Sequence, residues 1–286
     1  MHKFDIQKIA AVITLYNPDE KIIIRAESLL PFVEKLFLID NSDNSNDRII
    51  EHFKNDLKVN YVFNGRNIGI AASMNIAIKL ALEENFVFIL TMDQDSEFES
   101  NSLEVLISTI QENEDVAIYS PFHKNKFFTK PSTNHNVEEV SDVMTSGNLL
   151  NLCAVKKVGF FREDYFIDYV DIEYCLRLRK NGYRILRVNS SILIHNEANL
   201  LEKNFIGKKI YPPNHKPFRW YYKVRNFFYL KKEYQQDFPD YFIIESRNIR
   251  NNIIKFLLYE REKYLKIKFA IKGYLDFRKN VKGKMS

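Results

Sequence analysis

The strongest constraint on the fold is a pattern that occurs four times in the first hundred residues: a short apolar run that stops at or just before Asn or Asp. Such runs predict buried strands, and the helical periodicity between them predicts helices of about 10–15 residues. The runs are residues 8–16, 36–40, 59–64 and 86–93. Because strands that alternate with helices form βαβ units, the chain is predicted to be an α/β protein with a mostly parallel sheet.

Loops at the carboxyl ends of these strands form the expected binding edge, because ligands of open parallel sheets sit there. The loops begin at Asn17, Asp40, Asn64 and Asp93. The third loop, NGRNIG, precedes a predicted helix whose N-terminus favours an anion. It matches neither GxGxxG nor GxxxxGK[ST], which argues against a standard dinucleotide or P-loop site.

The second half of the chain is less regular. Residues 120–142 are polar and lack periodicity, residues 165–183 predict a loop that enters a helix, and residues 184–196 predict a strand pair or a bent strand. Beyond about residue 200, long helices rich in aromatic and basic residues are predicted, including 220–234 and 262–277.

Charge separates the two parts of the chain. Residues 1–202 carry 21 Lys and Arg against 30 Asp and Glu, whereas residues 203–286 carry 21 against 7. A strongly basic part predicts contact with anions such as lipid headgroups, lipid-linked phosphates or nucleic acid. The alternative is that its aromatic face packs on the rest of the protein and its charges are solvated.

Two cysteines without a CxxC pattern suggest a reducing, cytoplasmic setting. The N-terminal residues lack a signal peptide's apolar core, and no run of about 20 apolar residues could span a bilayer. We therefore expect a cytoplasmic protein, with peripheral contact at the inner face of the cell membrane as a further possibility.

Asp93 and Asp95 lie two residues apart at the end of an apolar strand. Mg²⁺ and Mn²⁺ use few carboxylates and leave positions open for substrate phosphates, so this pair is a candidate metal site. An isolated DxD is common, and a solvated acidic turn is the alternative.

A second acidic group, Asp168, Asp171 and Glu173, precedes a predicted helix. A carboxylate at a helix entrance can cap the helix or act as a general base. His195 follows a strand, where a histidine is either structural or a metal ligand that suits Mn²⁺ better than Mg²⁺.

Together these elements resemble family 2 glycosyltransferases of the GT-A fold, and more closely their rhamnosyltransferase-like branch. The resemblance spans about residues 8–230 and rests on segments in the family's order: VITLYNP, LFLIDNSDN, GRNIGIAASMN, LTMDQD, TSGNLL, FIDYVDIEYCLRLRKNGY, LIH and YYKVRN. It implies a Rossmann-like mixed sheet flanked by helices over residues 1–202, followed by a helical basic extension over residues 203–286.

The resemblance also implies donor contacts. Thr14 and Tyr16 would line the nucleoside pocket, Asp40 would meet the pyrimidine ring, and Arg66 and Asn67 would lie on the nucleotide side. The implied donor is a dTDP- or UDP-sugar.

For the chemistry, the resemblance assigns Asp93 to ribose or metal, Asp95 to a Mn²⁺ or Mg²⁺ ion at the donor diphosphate, and His195 to the metal side. Asp171 matches the family's general base. The acceptor-side candidates are Ser146, Gly147, Asp168 and Glu173.

The sequence departs from the family's pattern in two places. Val170 stands before Asp171, where many relatives carry Glu, so Asp168 or Glu173 could share the base's work. His195 is followed by Asn-Glu-Ala rather than a glycine-bearing turn. Arg225-Asn226 resembles a recurrent pair of this branch. The alternatives are that it binds the diphosphate, that it has a structural role, or that it lies on a helix surface.

The implied reaction is an inverting transfer of L-rhamnose from dTDP-L-rhamnose to a glycan or polyprenyl-diphosphate-linked saccharide, in bacterial surface polysaccharide synthesis. UDP-dependent hexosyl or galactofuranosyl transfer is the alternative within the family. Outside it stand a non-catalytic protein that binds nucleic acid or membrane through its basic part, a GT-A nucleotidyltransferase, and an inactive relative. The acidic strand ends argue against a nucleic-acid partner, and the acidic first loop argues against a nucleotidyltransferase.

Overall fold

The computed structural model describes residues 9–111, 115–125, 129–131, 133–195, 202–205, 208–212 and 214–285. The chain divides into two units, one formed by Met1–Glu163 and Tyr174–Asn196 and the other by Asp164–Glu173 and Glu197–Ser286. The second unit therefore contains a short segment from the middle of the chain, and the predicted boundary at residue 202 stays a prediction.

The first unit is built on one mixed sheet. In the described residues its strands are β1 (Ile9–Leu15), β2 (Lys35–Asp40), β3 (Val59–Phe63), β4 (Phe88–Asp93), β5 (Ser96–Phe98), β6 (Val116–Lys124), β7 (Val137–Glu139), β8 (Asn148–Asn151) and β9 (Arg184–His195). Their order is β3-β2-β1-β4-β8-β6-β9-β5, and β7 pairs with β9. The predicted parallel arrangement holds for β1 to β4, whereas β8 runs antiparallel to both β4 and β6.

Helices of the first unit follow the predicted alternation. They are α1 (Ile22–Leu29), α2 (Asp47–Phe53), α3 (Ile70–Glu83), α4 (Ser102–Ser108) and α5 (Leu152–Val158). Strands β1, β2 and β4 are buried along nearly their whole length, as expected of apolar runs in a parallel sheet covered on both faces. This buried sheet fixes where the polar strand ends lie.

The second unit is mainly helical. It contains α7 (Pro217–Tyr234), α8 (Pro239–Tyr259), α9 (Lys263–Arg278) and a short hairpin of β10 (Lys203–Phe205) and β11 (Lys208–Ile210). Helix α6 (Val170–Lys180) begins in the segment of the second unit and continues into the first. Trp220, Val224 and Phe256 form a buried apolar cluster of this unit. Within the described part of the chain, no helix combines the length and apolar character needed to cross a bilayer.

Two predictions from the sequence were incomplete. The stretch 120–142, expected to be irregular, contains the end of β6 and all of β7. The stretch 184–196 forms one strand over its described residues, with an irregular register against β6 after Pro121. Both strands depend on pairing with distant segments, which local periodicity does not reveal.

Candidate functional site

The sheet register brings the predicted donor-side strand ends together at one edge of the first unit. Thr14 in β1 lies beside Asp93 in β4, and Leu15 lies beside Asp40 in β2. Asp40 in turn lies beside Phe63, the last residue of β3 before the NGRN loop. The carboxyl ends of four parallel strands thus converge, as the binding-edge rule requires.

Asp40 is completely buried and both of its carboxylate oxygens accept hydrogen bonds. The Tyr61 hydroxyl donates to Oδ2 at 2.6 Å, and the Ser42 N–H donates to Oδ1 at 2.8 Å. Burial raises the pKa of Tyr61 to about 12, and the hydrogen bond to Asp40 adds to the rise, so the phenol keeps its proton. Asp40 therefore anchors the loop after β2, and its contact with a pyrimidine ring stays a prediction.

Tyr16 is 47% exposed, and its backbone forms hydrogen bonds with the Gln94 side chain in the DxD turn. Its N–H donates to Gln94 Oε1 at 2.7 Å, and Gln94 Nε2 donates to the Tyr16 carbonyl at 3.2 Å. The Arg25 guanidinium donates to the Gln94 carbonyl and to Asp19 Oδ1, both at 2.9 Å. Sequence reasoning missed Gln94 and Arg25; the position of Gln94 between the two aspartates was the available signal.

The NGRN loop is fastened at both ends. Asn64 Nδ2 donates to Asn41 Oδ1 at 3.0 Å, and Asn67 Oδ1 accepts from the Gly69 N–H at 3.0 Å. Gly69 has φ +90°, a conformation that glycine adopts without steric cost, and α3 begins at the next residue. Arg66 is exposed between these fixed points.

Ser146, predicted on the acceptor side, is buried and supports the acidic turn. Its hydroxyl oxygen accepts a hydrogen bond from the Asp93 N–H at 3.0 Å, and its carbonyl oxygen lies 2.7 Å from His123 Nε2. Asp93 is partly buried and Asp95 is exposed. The hydroxyl of Ser146 thus has a structural partner, and its acceptor role stays a prediction.

Gly147 holds the same loop against the sheet. Its N–H donates to the Thr91 carbonyl at 2.6 Å, and its φ is +82°. A Cβ at this position would lie 2.8 Å from Pro121 Cγ and 2.9 Å from Leu193 Cδ2. Both the backbone conformation and the lack of space therefore require glycine.

Of the three residues predicted to hold a metal, Asp93 and Asp95 have described side chains, and their binding of Mg²⁺ or Mn²⁺ stays a prediction. The backbone of His195 pairs with Ser96, directly after Asp95, while its side chain lies outside the described part of the structure. No three His, Cys, Asp or Glu side chains converge in a metal-holding group within the described residues. One or two carboxylates suffice where substrate phosphates and water complete the coordination, and Asp93 and Asp95 can supply them.

In the second unit, Asp168 forms a buried ion-pair cluster. Its carboxylate is 4% exposed and accepts hydrogen bonds from Arg219 Nε at 3.1 Å and Nη2 at 2.5 Å, while Lys223 Nζ lies at 3.1 Å. Burial alone would raise the pKa of Asp168, but the charges of Lys223 and Arg219 outweigh it and hold that pKa below its ordinary value. Asp168 is therefore ionised, and its carboxylate is paired with both Arg219 and Lys223.

The other two acids of this segment differ in exposure. Glu173 is completely buried and accepts a hydrogen bond from the Tyr234 hydroxyl at 2.7 Å. Asp171 is partly exposed in the first turn of α6, and its Oδ1 accepts from the N–H of Ile172 at 2.9 Å. A negative charge is favourable in the first turn of a helix. The acceptor roles of Asp168 and Glu173 stay predictions, although both carboxylates have structural partners.

The loop before α6 has an unusual backbone. Phe166, Asp168 and Tyr169 have φ values of 63°, 61° and 64°, a left-handed conformation that costs non-glycine residues on the order of 1 kcal/mol each. Arg225 and Asn226 donate hydrogen bonds to the carbonyls of this loop and are 0% and 1% exposed. The pair is thus neither a helix surface nor open to a diphosphate, and of the predicted alternatives the structural one fits.

Known proteins resemble the chain at the levels of sequence and fold. The family model described as "Glycosyl transferase family 2" matches residues 11–169. The dTDP-rhamnosyl transferase RfbF of Shigella flexneri is 30% identical over 252 residues, which cover 79% of this chain and 80% of that protein. The low-salt glycan biosynthesis hexosyltransferase Agl10 of Haloferax volcanii is 23% identical over 211 residues, with 66% and 67% covered.

Two solved structures show the fold. GalNAc-T7 with UDP, GalNAc and Mn²⁺ aligns with 97% of this chain at a TM-score of 0.62 and 14% identity, and this chain spans 57% of its length. S. aureus TarS 1-349 aligns with 96% of this chain, and 72% of its own, at a TM-score of 0.53 and 14% identity. The resemblance inferred from the sequence motifs is confirmed: the chain belongs to glycosyl transferase family 2 and is a glycosyltransferase of the GT-A fold.

Proposed function

We propose that the protein transfers L-rhamnose from dTDP-β-L-rhamnose to a saccharide acceptor with inversion, and that Asp171 is the general base. The observation that carries the base assignment is the difference in exposure among the three acids. Asp171 and Asp168 are both partly exposed as residues. The Asp168 carboxylate, however, is only 4% exposed and is paired with Arg219 and Lys223, while Glu173 is completely buried. A general base must reach the proton that it removes, and the burial of the other two carboxylates supports Asp171 over its neighbours.

In this reaction the acceptor hydroxyl oxygen attacks the anomeric carbon, the bond from that carbon to the diphosphate oxygen breaks, and the hydroxyl proton passes to Asp171. Because attack comes from the face opposite the leaving group, a β-linked donor gives an α-linked product. Asp93 and Asp95 would hold Mg²⁺ or Mn²⁺, which when bound supplies positive charge to the departing diphosphate. The structural neighbour GalNAc-T7, whose structure holds UDP, GalNAc and Mn²⁺, supports the use of a divalent ion.

The donor assignment is supported by the 30% identity to the rhamnosyltransferase. The hexosyltransferase from Haloferax supports a second candidate, hexosyl transfer. The donor of that reaction would be a UDP-sugar, with galactofuranosyl transfer as the variant that the family resemblance also allows. Tyr16, Arg66 and Asn67 would contact the nucleotide in either case. The acceptor would be a glycan or a polyprenyl-diphosphate-linked saccharide of bacterial surface polysaccharide synthesis.

A lipid-linked acceptor would be reached from the cytoplasmic face of the membrane, with the second unit in peripheral contact. Helices α8 and α9 expose apolar side chains beside Lys and Arg, which supports binding to an anionic bilayer surface. The exposed apolar residues include Ile243, Ile244, Ile254, Leu258, Tyr264 and Ile271.

The testing experiment measures nucleotide-diphosphate release from a panel of dTDP- and UDP-sugars, with a polyprenyl-diphosphate-linked monosaccharide as acceptor. We expect release from dTDP-L-rhamnose that is abolished by chelation and by Asp95→Asn. Asp171→Asn should lower kcat by at least about 100-fold while calorimetric dTDP binding stays within about twofold, since a base acts in the transition state.

Glu104→Gln is the matched control, because it neutralises an exposed acid of the same unit as Asp95 on helix α4. It should leave turnover unchanged. Near-normal turnover of Asp171→Asn would remove that residue from the base role. Release from a UDP-sugar in place of dTDP-L-rhamnose would reassign the donor without affecting the family.

A further inference from the structure

The loop that leads into α6 does not hold its conformation through its own sequence. Phe166, Asp168 and Tyr169 are all left-handed. Asp is a type that tolerates this region, but Phe and Tyr are bulky residues that rarely adopt it. Such a conformation persists only where surrounding groups fix it. The side chains that contact the backbone of this loop include Asn226 and Arg225 of α7.

Asn226 binds three carbonyls of this loop. Its Nδ2 donates to the carbonyl oxygens of Tyr165 at 3.0 Å, Ile167 at 2.9 Å and Asp168 at 2.9 Å. Because an α-helix or a strand would direct these three carbonyls differently, one amide group can meet all of them only in the folded-back conformation. The hydrogen bonds of Asn226 thus stabilise this conformation of the loop.

Arg225 completes the support. Its Nε donates to Asn226 Oδ1 at 3.0 Å, which orients the amide so that Nδ2 faces the loop. Its Nη2 lies 3.2 Å from the Tyr165 carbonyl and 3.3 Å from that of Asp164, and Nη1 donates to the Gly283 carbonyl at 2.7 Å. The guanidinium also lies over the rings of Tyr221 and Tyr222, at 5.1 Å from each centroid.

The same loop is also fixed through two of its side chains. The Phe166 ring stacks on Tyr222 with centroids 5.3 Å apart, and the Asp168 carboxylate is clamped by Arg219 and Lys223. Helix α6 starts at Val170, so the orientation of its first turn, and with it the position of Asp171, follows from the loop.

We propose that Asn226 and Arg225 are positioning residues of the transfer reaction: they hold the left-handed loop in the conformation that places Asp171 for proton removal. This inference rests on the proposed role of Asp171 as the base. Neither residue touches substrate, since both are buried, and their effect reaches the reaction only through the loop.

The test is Asn226→Asp, which keeps the shape of the side chain and an acceptor for Arg225 but removes the donor to the three carbonyls. We expect kcat with dTDP-L-rhamnose and a polyprenyl-diphosphate-linked monosaccharide to fall by about 100-fold, the scale expected for a displacement of about 1 Å. The donor KM and calorimetric dTDP affinity should stay within about twofold, since the donor-side residues lie in the other unit.

Tyr229→Phe is the matched control. Its hydroxyl is on the same helix and donates to a backbone carbonyl, that of Val281, at 3.1 Å, but not to the loop. It should lower the unfolding midpoint as a lost side-chain hydrogen bond does, with kcat unchanged. Because Asn226→Asp adds charge and can impair folding, Arg225→Lys is the second variant. It leaves the formal charge unchanged, cannot reproduce the fork of donors, and should give the same split between kcat and KM.

The outcomes separate the two proposals. Folded Asn226→Asp and Arg225→Lys with kcat within about threefold of wild type, while Asp171→Asn is inactive, would overturn the positioning role and leave the base in place. Normal turnover of Asp171→Asn would overturn both. If Tyr229→Phe loses kcat to the same extent as Asn226→Asp, the loss follows from stability alone and Asn226 is only a structural residue.

Discussion

His215 lies among charged side chains of the second unit, and its pKa is shifted chiefly by burial and further by these charges. Burial, with added repulsion from Lys223 and Arg219, lowers the pKa of His215 to about 3, although Asp168 acts in the opposite direction. An unfolded chain would bind a proton at this histidine near pH 6.5, whereas the folded protein leaves it neutral down to about pH 3. Stability must therefore fall as the pH falls through this window.

We predict that the second unit loses on the order of 1–2 kcal/mol of unfolding free energy between pH 7 and pH 5 because of His215. His215→Asn should remove this part of the loss. Urea unfolding followed by the fluorescence of Trp220, the single tryptophan, measures it. Tyr229→Phe, which alters a hydroxyl of the second unit whose pKa is raised by burial above its ordinary value of 10.0, is the control and should keep the wild-type slope. An unchanged pH dependence in His215→Asn would contradict the prediction. Asp168 does not interfere, because its lowered pKa acts only below this window.

At the level of elements, α7 and α9 approach each other at a glycine. A Cβ on Gly273 of α9 would lie 2.3 Å from the Tyr221 carbonyl oxygen of α7. Near this point the Tyr221 hydroxyl donates to Asp276 Oδ2 at 2.9 Å. The two helices therefore pack with their backbones close together, and any side chain at residue 273 must push them apart.

Gly273→Ala should destabilise the second unit by about 1–3 kcal/mol, in spite of alanine's higher helix propensity, because overpacking outweighs propensity. The midpoint of urea unfolding, observed at Trp220, measures the change. Ile271→Ala, at an exposed site of the same helix, should shift the midpoint little. A stabilised Gly273→Ala variant would show that the helices separate at no cost.

A strand or loop can be predicted from the sequence where neighbouring residues determine its structure, but not where distant residues do. The first four strands were predicted within a few residues, because burial on both faces leaves uniform apolar runs. The helices between them were predicted to have about 10–15 residues, but α1 has 8 and α2 has 7. The loop before α6 could not be predicted: two of its left-handed residues, Phe166 and Tyr169, are types that rarely adopt this conformation, and Asn226, almost sixty residues away, binds the carbonyls of the loop. The hydrogen bond between Gln94 and Tyr16 joins two separate strand ends, and the only local sign of it was the position of Gln94 between the two aspartates of the DxD turn.

At the level of the whole molecule, basic residues are concentrated in the C-terminal part of the chain. Helices α8 and α9 expose Lys and Arg beside apolar side chains, and residues from 203 onward carry a threefold excess of basic over acidic groups. An anionic surface would be attracted to such a face, and salt would weaken the attraction because the charges are exposed to solvent.

We predict binding to vesicles that contain phosphatidylglycerol, and none to pure phosphatidylcholine, with the binding lost at high salt. Cosedimentation measures it. A double change of exposed lysines in α9, Lys263→Glu with Lys268→Glu, should weaken binding. The same charge change at Lys156 and Lys157 of α5 is the control and should not. Equal effects of the two double variants would make the attraction a matter of net charge alone.

The membership of Asp164–Glu173 in the second unit limits how such enzymes can be recombined. A chimera joined at a single crossover near residue 202 would combine the loop of one parent with the Arg-Asn pair of another. We expect such hybrids to retain activity only where the segment 164–173 is exchanged together with the C-terminal helices. Transfer of specificity from one relative to another would then require the exchange of two chain segments instead of one.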